Sequence, residues 1–149
     1  MIEFVIPMNP VAKGRARFST IHGKAIAFTP KETVVAERTM ATFAREAMKG
    51  LPLLTGVLSV QIAFFLRKPK SVKREHPTTK PDLDNYVKML DAFNGVIWQD
   101  DSQIVSLSAD KSYCTNHEQP RIWVCVDEIM SAKDNGHKKN TIRGKGAKK

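Results

Sequence analysis

In residues 2 to 6, IEFVI, the side chains of Ile2, Phe4 and Ile6 fall on one side of an extended chain before Pro7 and Pro10 interrupt the run, the period-two pattern of a short strand and its exit. Residues 57 to 66, VLSVQIAFFL, repeat that pattern at greater length, with Leu58, Val60, Ile62, Phe64 and Leu66 on one side, and this strand is expected at the centre of a sheet. Between them the period lengthens to that of a helix. Ala36, Met40, Phe43, Ala44 and Ala47 make one apolar face, Thr29 with Glu32 forms a candidate capping box with Pro30 at the first helical position, and Gly50 follows Lys49 as the stop. A second helix is expected from about 84 to 93, closed by Asn94-Gly95 and followed by a short apolar piece, VIW. Two half-buried strands complete the pattern. Over 103 to 110, Val105, Leu107 and Ala109 oppose Ser106, Ser108 and Asp110, and over 121 to 129, Ile122, Val124 and Val126 share a face. The glycine-containing basic stretch from 11 to 28 reads as a loop or hairpin around Ile21-His22-Gly23-Lys24. The order strand, loop, helix, strand, loop, helix, strand, strand predicts an α+β fold, a single small domain over residues 1 to 130 with a mixed β-sheet and two helices packed against it.

Composition narrows the class. Across 149 residues, 42% are apolar and 26% charged, enough to build one core and too apolar for a disordered chain. No apolar run approaches the eighteen or so residues that a membrane span requires, so no membrane partner is expected and a cytoplasmic location is the working reading. Cys114 and Cys125 have no second pair and no C-x-x-C spacing, which points to reduced packing residues and not to disulfides or zinc. Lys and Arg total 24 against 15 Asp and Glu, a net charge of +9. Seven basic residues and one acid in the last nineteen residues contribute +6 of it, so residues 131 to 149 read as a basic, disordered tail. Two further basic patches lie in the body, Lys13, Arg15 and Arg17 in VAKGRARF, and Arg67, Lys68, Lys70, Lys73, Arg74 and Lys80 in RKPKSVKREHPTTK.

Candidate chemistry lies between those patches. In KPDLDNYVK, Pro81 biases the lead-in to the second helix toward extended backbone, so Asp82 and Asp84, two apart, project from one side. Asp84 can cap the helix, and Lys88, four residues on, approaches the same locus. Asp100 and Asp101 bring two more carboxylates ahead of the next strand. Clustered carboxylates repel one another, and a divalent cation relieves that repulsion. Magnesium accepts a few carboxylates together with waters and phosphate oxygens, and a nearby lysine can stabilise charge on a transferring phosphate. Spacing alone also allows a plainer reading, in which Asp82 and Asp84 serve a cap and turn and Asp100-Asp101 a solvated turn. His22, His76, His117 and His137 are scattered through polar segments with no telling partner, Trp98 and Trp123 lie in apolar stretches and read as core, and Ser102 reads as a turn residue.

Taken together, KGRARF, KPDLDNYVK and NGVIWQDDSQI resemble the RusA family of Holliday junction resolvases, which includes versions carried by phages and prophages, over roughly residues 4 to 128. The resemblance places the family's essential carboxylates on Asp82, Asp84 and the second of the Asp100-Asp101 pair, Asp101, and its essential lysine on Lys88. It implies a homodimer that uses magnesium, with manganese as a substitute, and nicks two strands of a four-way DNA junction symmetrically. A two-fold dimer suits that task because it presents one site twice to a nearly two-fold substrate. Lys13, Arg15, Arg17, Lys68, Lys70, Lys73 and Arg74 become candidates for phosphate contacts. The segment between Lys88 and Asn94 is about one residue shorter than the family's pattern, and in an α-helix one residue turns everything after it by about 100°. The competing reading is a non-catalytic dimer of the same fold that binds branched DNA through its basic loops.

Overall fold

The computed structural model describes residues 1–130, and the basic tail expected over residues 131 to 149 lies outside the described residues. Six strands and two α-helices follow in the order β1 (Ile2–Ile6), β2 (Arg17–Ile21), β3 (Lys24–Phe28), α1 (Lys31–Met48), β4 (Val57–Leu66), α2 (Leu83–Val87), β5 (Ile104–Tyr113) and β6 (Arg121–Ile129). α2 runs on as a 3-10 helix, Lys88–Phe93, and a 3-10 turn, Asp101–Gln103, leads into β5. Four strands form a mixed sheet in the order β1-β6-β4-β5, antiparallel except for the β4/β5 pair. Because β4 and β5 are parallel, the chain must cross back between them, and that crossover carries α2. β2 and β3 form a separate hairpin whose two turn residues, His22 and Gly23, both have positive φ, as a type I′ turn requires.

The period-two strands put one face of the sheet against the helices. Ile6 from β1, Leu58, Val60, Ile62 and Phe64 from β4, and Ile122, Val124 and Val126 from β6 are all buried there. α1 lays Ala36, Met40, Ala44 and Met48 into the same core, with Thr33 buried beside them, while Phe43 and Ala47 sit at its margin. The expected capping box does not form. Pro30 itself occupies the cap position in extended conformation with no side-chain cap, and its carbonyl accepts from Val34 N. At the other end Lys49 and Gly50 both turn left-handed and stop the helix where expected. Ile97 and Trp98 close the bottom of the core, and Phe93 meets Phe4 and Trp98 edge-on, its ring centroid 5.8 and 5.7 Å from theirs.

Three expectations are corrected. Trp123 is not core: it alternates with Ile122 and Val124, lies on the far face of the sheet, and donates through Nε1 to Glu3 Oε1 at 2.9 Å. Val105 and Leu107 are exposed, because β5 is an edge strand with a register shift at its start and no helix covers that part of it. The second helix is α-helical only to Val87. From Lys88 it tightens to three residues per turn, so Lys88 and Asp91, three apart, return to one face. Among the described residues no helix is long and apolar enough to cross a membrane.

Phe93 is fully buried between two aromatic rings directly beneath this segment. Phe93→Ala should lower unfolding free energy by about 3–5 kcal/mol, read from urea midpoints at unchanged slope.

Candidate active site

Tyr86, Met89, Leu90 and Phe93 are buried, Tyr86 against the ring of Phe64 at 5.3 Å, and this anchors the inner face of the segment 83–93. On the other side of the same segment Asp84, Lys88 and Asp91 are turned outward by the helical period and are exposed. Ahead of α2, through a cis Lys80–Pro81 bond, Asp82 takes the cap position with φ −68 and ψ 151. Its carbonyl accepts from Asn85 N at 3.1 Å, but its carboxylate makes no capping hydrogen bond, and Asp84, the residue expected to cap, lies inside the first turn. The lead-in is held from β5. Lys111 reaches across and donates from Nζ to the carbonyls of Thr79 at 2.9 Å and Pro81 at 3.0 Å.

The strap formed by residues 11–15 builds the opposite wall. Lys13 N donates to the Asn85 carbonyl at 2.9 Å and Gly14 N to Thr33 Oγ1 at 3.1 Å. A Cβ at Gly14 would come within 2.9 Å of Pro30 Cγ, so only glycine lets the strap lie this close to α1. The result is a cleft lined by Lys13, Gly14, Arg15, Asp82, Asp84, Asn85 and Lys88. Lys88 Nζ donates to Asn85 Oδ1 at 3.3 Å, within the cleft that holds both aspartates.

A second cleft adjoins the first at Lys88 and continues past Asp91 and Asp101 onto Ile104 and Leu107 of β5. The two neighbouring aspartates of the 3-10 turn have different work. Asp100 accepts from Ser102 N at 3.2 Å, while Gln103 Oε1 accepts from Asp100 N at 3.0 Å, a reciprocal capping box. Gln103 Nε2 then pins the turn to the Leu54 and Gly56 carbonyls, both at 2.9 Å. The hydrogen bonds to Ser102 hold the Asp100 carboxyl below the usual range. Asp101 is pushed the other way, by partial desolvation first and then by repulsion from Asp100 and Asp91. Lys13 is committed to carboxylates as well: its Nζ lies 2.8 Å from Asp91 Oδ2 and 3.4 Å from Glu37 Oε1, and the bond to Asp91 leads in raising its pKa.

Of the residues singled out in the sequence, Asp82, Asp84 and Lys88 therefore share one cleft, and Asp101 shares the next with Lys88. The three carboxylates assigned to a metal do not meet at one point; among the described residues no three His, Cys, Asp or Glu side chains are grouped closely enough to hold an ion. The donor set of the first cleft still suits magnesium, since Asp82 and Asp84 share it, the Asp82 carboxylate makes no capping hydrogen bond, and that ion needs only one or two protein carboxylates beside phosphate oxygens and water. Among the basic candidates, Arg15 lines the first cleft and Arg17 begins the hairpin. Lys68 and Lys70 line a separate pocket with Cys114 and Glu118, Lys73 is exposed, and Arg74 donates to Tyr113 Oη at 3.1 Å. Three contributors escaped the sequence reading. Gln103 carried a legible signal, the D-x-x-Q spacing from Asp100. Asp91 and Lys111 carried none, because each finds its partners across the fold.

A family model described as Endodeoxyribonuclease RusA matches residues 7–127 of this chain. The chain is also 36% identical over 143 residues to the protein YqaN of Bacillus subtilis (strain 168), described as uncharacterized, covering 87% of this chain and 98% of that one.

Two consequences of this geometry can be measured. Because its ammonium is occupied by Asp91 and Glu37, Lys13→Gln should cost about 1 kcal/mol of stability while leaving the salt dependence of DNA binding unchanged, whereas loss of a phosphate-contacting lysine would lower that slope by about one. Asp101 has a folded-state pKa above its ordinary 3.8, so folding binds its proton more tightly and stability is lost as pH rises through that window. In metal-free buffer Asp101→Asn should raise the thermal midpoint near pH 7.5 and give no gain at about pH 3, where the carboxyl is protonated in both states.

Proposed function

The chain belongs to the RusA endodeoxyribonuclease family, and we propose that it is a magnesium-dependent, structure-selective endonuclease that resolves four-way and related branched DNA by paired symmetrical nicks, acting as a homodimer. The observation that carries the reading is the position of Lys88, which borders the Asp82/Asp84 cleft on one side and the Asp91/Asp101 cleft on the other. A phosphodiester lying across Lys88 has carboxylates on both flanks and a cation beneath it.

Asp82 and Asp84, which share one cleft, are the carboxylates that would hold an ion there, and Asp101 faces the phosphate from the adjoining cleft across Lys88. Magnesium, with manganese as a substitute, supplies charge neutralisation at the phosphate and a water of lowered pKa when bound. The chain's own residues do the rest. Lys88 stabilises negative charge as it builds on the scissile phosphate, and Asn85, accepting a hydrogen bond from its ammonium, restricts where that charge sits. Arg15 at the cleft wall neutralises a neighbouring phosphate and sets the strand's path past Asp82 and Asp84. Buried Tyr86 and the grip of Lys111 on the Thr79 and Pro81 carbonyls keep the aspartates from yielding when the polyanion arrives. Pairing of the nicks follows from symmetry, since two copies related by a two-fold axis offer two identical clefts to the crossover strands.

An end-labelled four-way junction incubated with the protein, with and without magnesium, decides the matter. Paired nicks that need the metal are expected, and Asp84→Asn, which preserves size and leaves the core untouched, should slow them by at least about 10²-fold while junction binding survives. Binding without cleavage under magnesium and manganese alike would sink the proposal and leave the non-catalytic binder.

A further inference from the structure

The hairpin β2–β3 stands apart from the core. All ten of its residues are exposed, and among the described residues its strands pair only with each other. An isolated two-stranded hairpin is marginal in water, and this one carries exposed large apolar side chains, Phe18 at 75% of its full accessibility and Phe28 at 46%. Cross-strand partners share a face, so Phe18 stands with Thr20, Ala25 and Ala27, all small, and its ring rises above that face uncovered. The opposite face carries Arg17, Ser19, Ile21, Lys24, Ile26 and Phe28. From residue 14 to residue 28 there are three fixed positive charges, Arg15, Arg17 and Lys24, and no acid.

An uncovered aromatic ring in an acid-free basic strap is matched to a polyanion that also offers flat apolar faces. A second copy of the same hairpin is a poor occupant, because self-association would bring Arg17 and Lys24 of both copies together with nothing to offset them. The hairpin is also continuous with the candidate active site, since Lys13, Gly14 and Arg15 at its root form one wall of the Asp82/Asp84 cleft. Within a continuous duplex every base is stacked on both faces, and wedging between bases must break that stacking. Where duplex arms part, the stacking is already interrupted and a ring can enter at lower cost.

We infer that the hairpin is an aromatic finger for the branch point, in which Arg15 and Arg17 hold backbone phosphates and the Phe18 ring stacks on a base laid open at the crossover. It rests on branched DNA being the substrate, and it adds the source of selectivity for the branch over plain duplex. Sequence tolerance follows, because every base has a stacking face.

The test is fluorescence anisotropy in EDTA, with a labelled four-way junction and a linear duplex of the same sequence, so that cleavage does not enter. Phe18→Ala should weaken junction binding about tenfold and leave duplex binding nearly unchanged. Phe18→Trp should retain junction affinity, and Phe18→Leu should fall with the alanine variant because it is apolar without being flat. Arg17→Gln should weaken both DNAs and lower the salt slope by about one. Phe18 is exposed, so equal thermal midpoints should accompany these changes. Wild-type protein that binds junction and duplex equally would overturn the branched-DNA reading and the finger together. A wild-type preference that survives Phe18→Ala, or that leucine sustains, overturns the finger alone, as does a Phe18→Ala variant that loses junction affinity only because sedimentation shows its dimer has come apart.

Discussion

Everything at the candidate site depends on how the segment from Asp82 to Phe93 is fastened from below. Tyr86, Met89, Leu90 and Phe93 are buried against β4, β1 and the Trp98 ring, and that burial fixes the rotation of the whole segment. Once it is fixed, the residues between the anchors have only one direction left. The change from α to 3-10 geometry at Lys88 matters for the same reason. At three residues per turn, residues three apart eclipse one another, which sets Asp91 on the same face as Lys88 along the second cleft.

Charge is distributed by the same logic. Unlike groups are paired where the fold needs strength: Lys13 is spent on Asp91 and Glu37, and Asp100 on its own turn. Like groups are also left near one another at the clefts. Partial desolvation and then Asp100 and Asp91 push the Asp101 pKa up, and Asp82 takes the cap position of α2 without its carboxylate making a capping hydrogen bond. The crowding at Asp101 opposes folding, and the 3-10 turn that carries it is clamped by Gln103, as the α2 lead-in is by Lys111. The supporting residues are therefore as much part of the site as the aspartates they hold.

Much of the architecture was legible in the chain, for a reason that differs from element to element. β4 and β6 follow their apolar alternation to the residue, because their buried side chains face one core and a shift of one position would turn all of them out. The His22-Gly23 turn and the Lys49-Gly50 stop were legible because left-handed backbone selects its residues locally. The capping box at Thr29 was not realised, because the extended Pro30 takes the cap position and leaves Thr29 one residue outside the helix. Val105 and Leu107 misled because alternation reports which face a residue is on and not whether another layer covers that face; only the strand order β1-β6-β4-β5 puts them on an uncovered edge.

For the site, the residue types were written in the sequence: Asp82, Asp84, Lys88 and the Asp100-Asp101 pair carry local spacing that any reader can measure. The division of labour among them was not. That Lys13 lies against Asp91 and Glu37, that Asp101 lies near Asp91, and that Lys111 holds the lead-in from a strand thirty residues away all depend on partners brought together by the fold. Local chemistry is determined by neighbours in sequence, because turns, caps and periodic faces close over a few residues. Electrostatic roles are determined by neighbours in space, because a charge acts on whatever the fold brings within a few ångströms of it.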